Sequence, residues 1–194
     1  MGSSQCIIKK MENPDQIFTF EEMAELERRR LVAASLRGTL AMLNSNLPVD
    51  KLLNYIVNQA CPLLNADAAA IYHLQMNGVL TIQALVGLST DYIQYANVPL
   101  GKLATGRAAL SKRPITVQDT RKLVNAPNLD PDLVRALQKM SQIYRSIISV
   151  PIDIREESYG SLTLYFVKPH KFSEEEVALA KDFSIQAALA IERA

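Results

Sequence analysis

The stretch Arg145–Val167, RSIISVPIDIREESYGSLTLYFV, constrains the fold more than any other part of the chain. Ile148, Val150, Ile152 and Ile154 recur at every second position, and Leu162, Leu164 and Phe166 repeat the pattern. Successive side chains point to opposite faces of a strand, so this period predicts a hairpin of two half-buried strands. The other parity carries Arg145, Ile147, Ser149 and Pro151, then Ser161, Thr163 and Tyr165. One face is thus apolar, and the other mixes small, hydroxyl and aromatic groups. Sharing the apolar rows on one face pairs Ile152 with Leu162, Val150 with Leu164 and Ile148 with Phe166, leaving Arg155–Tyr159 as the loop. Pro151 cannot donate to a ladder and predicts an edge or a bulge. The apolar face is expected to pack on helices. The mixed face is expected to floor a small-molecule pocket.

A length of 194 residues suits one domain with an extension. The formal net charge of +1 gives no field that would attract nucleic acid. No apolar run approaches the ~20 residues of a membrane span. Cys6 and Cys61 have no paired spacing, and His73 and His170 stand apart, so neither a disulfide framework nor a metal site is expected. A reducing, cytoplasmic setting follows. Residues 1–18 read as an irregular lead: Met1–Ser4 look like added residues, Asn13-Pro14-Asp15 is a turn signal, and no signal peptide is visible.

Thr19 with Glu22 fits a capping box, opening a helix expected over residues 19–46. Leu26, Arg29, Ala33, Leu36, Leu40, Leu43 and Leu47 alternate in steps of three and four along it, a heptad seam. Such a seam pairs with a second copy of itself, so a homodimer is expected through Leu26, Ala33, Leu36, Leu40, Leu43 and the C-terminal helix. After Pro48, Leu52, Leu53, Ile56, Val57, Ala60 and Leu64 keep the helical period. Ala68–Leu74 and Val79–Val86 read as strands around the Asn77-Gly78 turn. A short helix within Thr90–Leu100, another over Lys102–Ser111 and a strand at Ile115–Asp119 follow. Thr120–Tyr144 reads as a long loop that becomes helical near Pro131, a lid by its length. Ser173 caps a final helix with Glu174, Glu175 and Glu176 in its first turn.

VPIDI followed by YGSLTLYF resembles the GAF signature, in which a "vPl" strand leads to "G.L.l". LPVDKLLNYIVNQACPLLNADAAAIYHL resembles the opening GAF helix and first strand, and KFSEEEVALAKDFSIQAALAIERA the closing helix. The resemblance implies an α+β domain over residues 47–194. It has an antiparallel sheet of five or six strands, long N- and C-terminal helices on one face, and short helices and loops over a ligand pocket on the other. The helix over 19–46 resembles the signalling helices of sensor kinases and cyclases, including two-component systems. The implied function is non-catalytic sensing of a small molecule, coupled to a helical dimer. The alternatives are a ligand-free dimerisation domain and a cyclic-nucleotide-binding domain.

Family chemistries can be checked residue by residue. Covalent bilins sit on a cysteine before the "vPl" strand; residues 125–144 hold none, so no cofactor is expected. Free methionine sulfoxide reductases of this shape use pocket cysteines, and neither Cys6 nor Cys61 falls in a pocket-forming segment. Of the cyclic-nucleotide pattern, Lys168 and Phe172 match, while the Asn and the Asp-Glu pair do not. Phosphate-cradling glycine motifs and a nucleophile elbow are absent. The expected ligand-binding residues are Tyr72, Tyr95, Asp119, Tyr144, Arg145, Ser149, Thr163 and Tyr165. Parity supports only Arg145, Ser149, Thr163 and Tyr165. Arg145 could hold an anion bidentately or pair with Asp119 or Asp153. Replacing Leu36 and Leu40 by polar residues is expected to yield a monomer by light scattering, and an unchanged mass would count against the seam.

Overall fold

The computed structural model describes residues 47–122 and 131–193, together with Glu22, Met23, Leu26 and Ala33, which are helical. The rest of the expected 19–46 helix, with Leu36, Leu40 and Leu43, lies outside the described residues, as does the 123–130 part of the expected lid. The elements are α1 (Val49–Leu63), β1 (Ala68–Leu74), β2 (Val79–Val86), α2 (Thr90–Ile93), β3 (Val98–Pro99) and α3 (Leu103–Ser111), then β4 (Ile115–Val117), a 3-10 turn (Thr120–Lys122), α4 (Pro131–Ile143), β5 (Ser146–Ile154), β6 (Glu157–Phe166) and α5 (Glu174–Glu192). They form a mixed α+β fold with one six-stranded sheet of order β3-β2-β1-β6-β5-β4, every adjacent pair antiparallel.

Local chemistry places the elements. In α1, Leu52, Leu53, Ile56, Val57 and Ala60 recur at helical spacing and are all buried. The chain turns out of α1 at Asn65, which adopts a left-handed φ of 51°. At the β1–β2 turn Gly78 has φ 77°, and the Val79 amide donates to Asn77 Oδ1 at 3.1 Å. Ser173 and Glu176 close a reciprocal capping box on α5: the Glu176 amide donates to Ser173 Oγ and the Ser173 amide to Glu176 Oε2.

The β5–β6 ribbon keeps the predicted faces but not the predicted register. Val150 lies opposite Leu162, Ile148 opposite Leu164 and Ser149 opposite Thr163. The ladder is displaced by two residues, and the connection is only Arg155-Glu156, with φ values of 49° and 67°. A shift of two preserves every side chain's face, which is why parity alone could not detect it. Pro151 sits where β5 is a sheet edge, because β4 pairs only as far as Ser149, and a bulge follows between Ile152 and Asp153.

Two cores flank the sheet. On one side Ile148, Val150, Ile152, Leu162, Leu164 and Phe166 meet α1 and α5 through residues such as Leu53, Ile56, Val57, Ala180, Phe183 and Ala187. On the other, Ala68, Ala70, Tyr72, Ile147 and Tyr165 meet Leu88, Tyr92, Ala104, Ala109, Leu137, Met140 and Tyr144. Phe172, considered at the sequence level for a nucleotide motif, packs on Phe166 on the α1–α5 side.

Gly160 stands where β6 crosses β1, opposite His73. A Cβ there would overlap the Tyr72 carbonyl oxygen, which is backbone and cannot swing aside. Gly160→Ala is expected to destabilise the domain by about 3 kcal/mol in urea unfolding; a midpoint equal to that of the parent would refute this close approach.

Candidate functional site

Alternation along β1 and β6 sends Tyr72, opposite Ser161, and Tyr165, opposite Ala68, to the side away from α1 and α5, where their long side chains meet across four ladder positions. Their hydroxyls hydrogen-bond to each other at 2.6 Å. Both are fully buried. From above the sheet, Tyr92 of α2 lays its ring edge-on to Tyr165 at 5.8 Å and to Tyr144 at 6.0 Å. Tyr144, at the end of α4, completes the group at 5.1 Å from Tyr165. These spacings fall in the range of favourable aromatic contacts.

Tyr144 also fastens the cover. Its hydroxyl accepts from the Ser89 amide at 2.9 Å and donates to the Gly87 carbonyl at 3.3 Å, tying the β2–α2 connection to the entry of β5. Its own carbonyl accepts from Thr120 Oγ1 at 2.7 Å. One residue therefore links three covering segments.

Burial and, less strongly, the Asp67 carboxylate push the Tyr144 phenol up, while the three inner phenols sit among neutral groups. Burial pushes the Tyr72, Tyr92 and Tyr165 phenols above their ordinary value, and those of Tyr72 and Tyr165 well above it. Among the described residues, only other tyrosines add to that environment.

The remaining expected residues divide. Ser149 and Thr163 are fully buried beside α3: Ser149 Oγ lies 2.9 Å from Thr163 Oγ1, which lies 3.1 Å from Thr105 Oγ1. Ser161 Oγ donates to the Thr105 carbonyl at 3.3 Å. Their hydroxyls seam α3 to the sheet, so this half of the mixed face is covered rather than open. Arg145 meets Asp119 bidentately, Nε to Oδ1 at 3.2 Å and Nη2 to Oδ2 at 2.8 Å, the ion-pair option among those open at the sequence level. The guanidinium holds the Asp119 carboxyl below the usual carboxylate range. Tyr95 is half-buried and lies outside the ring contacts of the four phenols. The structure thus gathers Tyr72, Tyr144 and Tyr165, sets Ser149 with Thr163, and pairs Asp119 with Arg145.

Tyr92 was missed by sequence reasoning, which chose Tyr95. The signal was present: Leu88, Tyr92 and Ala96 fall four apart, and all three are buried.

The thiol of Cys61 belongs to the opposite side of the sheet. It is buried in the α1–α5 core, donates to the Ala66 carbonyl at 3.1 Å, and is pushed up by burial and by Asp67. A thiol so placed is a poor nucleophile. His73 stacks on Tyr159 at 4.3 Å, in a side-chain contact rather than in a cluster of metal donors.

The GAF domain family model matches residues 48–191. This chain belongs to the GAF domain family. The GAF domain of a phosphoenolpyruvate-protein phosphotransferase from Coxiella burnetii is 23% identical and superposes with a TM-score of 0.67, covering 84% of this chain and 94% of that one. A domain of a putative two-component sensor histidine kinase from Sinorhizobium meliloti is 18% identical, with a TM-score of 0.60 and coverage of 76% and 93%. A free methionine-R-sulfoxide reductase from Neisseria meningitidis, in complex with its substrate, is 14% identical, with a TM-score of 0.66 and coverage of 86% and 89%. At these identities the likeness concerns the GAF fold alone. A comparison with curated protein sequences finds no match. GAF domains are common regulatory and ligand-binding units, and no helix among the described residues of this one is long and apolar enough to cross a membrane.

Because the folded phenols titrate above the unfolded ones, their contribution to stability is full below pH ~10 and is lost as pH rises further. Each such phenol adds about 1.4 kcal/mol of loss per pH unit beyond that point. In an alkaline titration followed by phenolate absorbance and circular dichroism, Tyr72, Tyr92 and Tyr165 should ionise only together with unfolding. Full ionisation of every tyrosine in a folded protein would contradict the described burial.

Proposed function

We propose that this GAF domain is a non-catalytic sensor that takes a small molecule at the Tyr72–Tyr92–Tyr144–Tyr165 cluster. One observation carries the reading: four phenols converge beneath a cover whose nearest piece, α2, is a four-residue helix without a side-chain cap. The opposite face is filled by apolar side chains shared with α1 and α5. A molecule that separates the phenols displaces α2 and the Tyr144 clasp. The strain passes through β1 and β6 to the two terminal helices. For this to signal, the ligand must bind one arrangement of those helices better than the other.

The output side is a homodimer built on the seam Leu26, Ala33, Leu36, Leu40 and Leu43 together with α5. Ile185 and Leu189 support its α5 part, being exposed one helical turn apart. A cytoplasmic location and the absence of a bound cofactor belong to the same reading. Cyclic-nucleotide binding is the weaker variant, since the phenols offer no positive charge to a phosphate.

A second reading has an observation of its own. The mixed face is closed by α3, α2 and α4, as it would be in a domain that binds nothing and serves dimerisation. A panel of metabolites screened by thermal shift and native mass spectrometry separates the two. The sensor reading expects at least one bound molecule, with altered hydrogen exchange in both α1 and α5; no shift across a broad panel would leave the structural reading standing.

A further inference from the structure

The occupant of the candidate site is itself informative. Tyr92 belongs to α2, which holds few residues and is fastened at its start by the Ser89 amide on the Tyr144 hydroxyl. Tyr72, Tyr165 and Tyr144 come from β1, β6 and the α4–β5 junction, elements fixed by the sheet. The site as folded is therefore three anchored phenols receiving a fourth from a lightly held segment. The received group is a flat, uncharged ring bearing one hydroxyl, edge-on to two rings, one of which belongs to the bonded hydroxyl pair.

We propose that Tyr92 is a built-in surrogate for the ligand, and that the ligand class is an uncharged phenol-like ring carrying one hydrogen-bonding group. This rests on the sensor reading of the same site and adds the chemistry it selects. Among the described residues, the buried side chains packed around the four phenols are apolar or phenolic, and no carboxylate, ammonium or guanidinium is buried with them. A charged ligand would lose its hydration there without gaining a counter-charge. The Tyr72–Tyr165 bond uses one of the pair's two O–H donors, so a ring with no hydroxyl offers the other no acceptor, and unmade buried hydrogen bonds are costly. An uncharged hydroxylated ring satisfies both conditions. It competes with the Tyr92 ring for one place, so wild-type affinity is lowered by the share of molecules in which Tyr92 is seated.

The test is rescue of Tyr92→Ala by the missing side chain. The probe is p-cresol, the tyrosine side chain cut free at Cβ, compared with toluene, which lacks the hydroxyl, and 4-hydroxybenzoate, which adds a charge. With p-cresol in about tenfold excess over its dissociation constant, the melting temperature of Tyr92→Ala should rise by about 3 °C or more. The wild type should rise less. Toluene should give under half of the p-cresol shift, and 4-hydroxybenzoate none. Equal shifts for toluene and p-cresol, or a larger one for 4-hydroxybenzoate, would overturn the proposal.

Should Tyr92→Ala not fold, saturation-transfer NMR of p-cresol on the wild type replaces it. A signal there that disappears in the Tyr72→Phe, Tyr165→Phe double variant supports the assignment, and no signal defeats it. Binding of p-cresol without any change of hydrogen exchange in α1 and α5 upholds the ligand class while removing the sensor. A charged effector that alters exchange in both helices keeps the sensor and removes the class.

Discussion

Every layer of this domain depends on the antiparallel pairing of β5 with β6, because that ladder assigns each side chain to one of two environments that differ in kind. Even-numbered positions such as Ile148, Val150, Leu162 and Leu164 enter a core shared with two long helices. Odd-numbered ones such as Ser149, Ser161, Thr163 and Tyr165 enter a core that must also satisfy hydroxyl groups. Both sides are buried, and buried polar groups need partners. The covering layer is therefore constrained by hydrogen bonding as well as by shape.

That constraint is met in two ways. Over Ser149, Ser161 and Thr163 the cover is α3, whose buried positions are Ala104, Thr105, Gly106, Ala108 and Ala109. Small residues let its backbone come down onto the sheet, and Thr105 engages two of the three hydroxyls through Oγ1 and its carbonyl. A Cβ at Gly106 would overlap the Pro99 carbonyl oxygen, so the approach on the β3 side is equally tight. Over Tyr72 and Tyr165 no backbone descends. Tall phenols fill the space and answer one another, with α2 and α4 resting on top. The first half of the face is closed by main chain, which is stiff. The second is closed by the rings of Tyr72, Tyr92, Tyr144 and Tyr165, which pack on one another.

How much of this the sequence disclosed follows from what each signal measures. Alternation reports the face of a residue, so the two cores were legible, as were β1, β2, the Asn77-Gly78 turn and the Ser173 cap, each with its own local chemistry. Register in steps of two leaves alternation unchanged. The Arg155-Glu156 connection has positive φ at both residues without the Asn-Gly or Asp-Gly that usually marks such a turn, so nothing local announced it. β3 is two residues long and includes a proline, too short to show a period. The site was legible only for residues on strands: Tyr165 follows from parity, whereas Tyr144 and Tyr92 come from covering helices whose approach depends on tertiary packing. Arg145 shows the limit from the other side. The sequence left an anion, Asp119 and Asp153 open as its partner, and the choice of Asp119, which arrives from beyond β4, is made by tertiary packing.

The two cores are also unequal in how they would respond to force. On the covering side, breaking the bond pair at the Tyr144 hydroxyl releases the Gly87–Ser89 connection, and with it α2. On the helical side, α5 carries Gln186, whose buried amide has no hydrogen-bond partner among the described residues. α2 and α5 lie on opposite faces of one sheet, joined through β6, which carries Tyr165 to one side and Leu164 and Phe166 to the other.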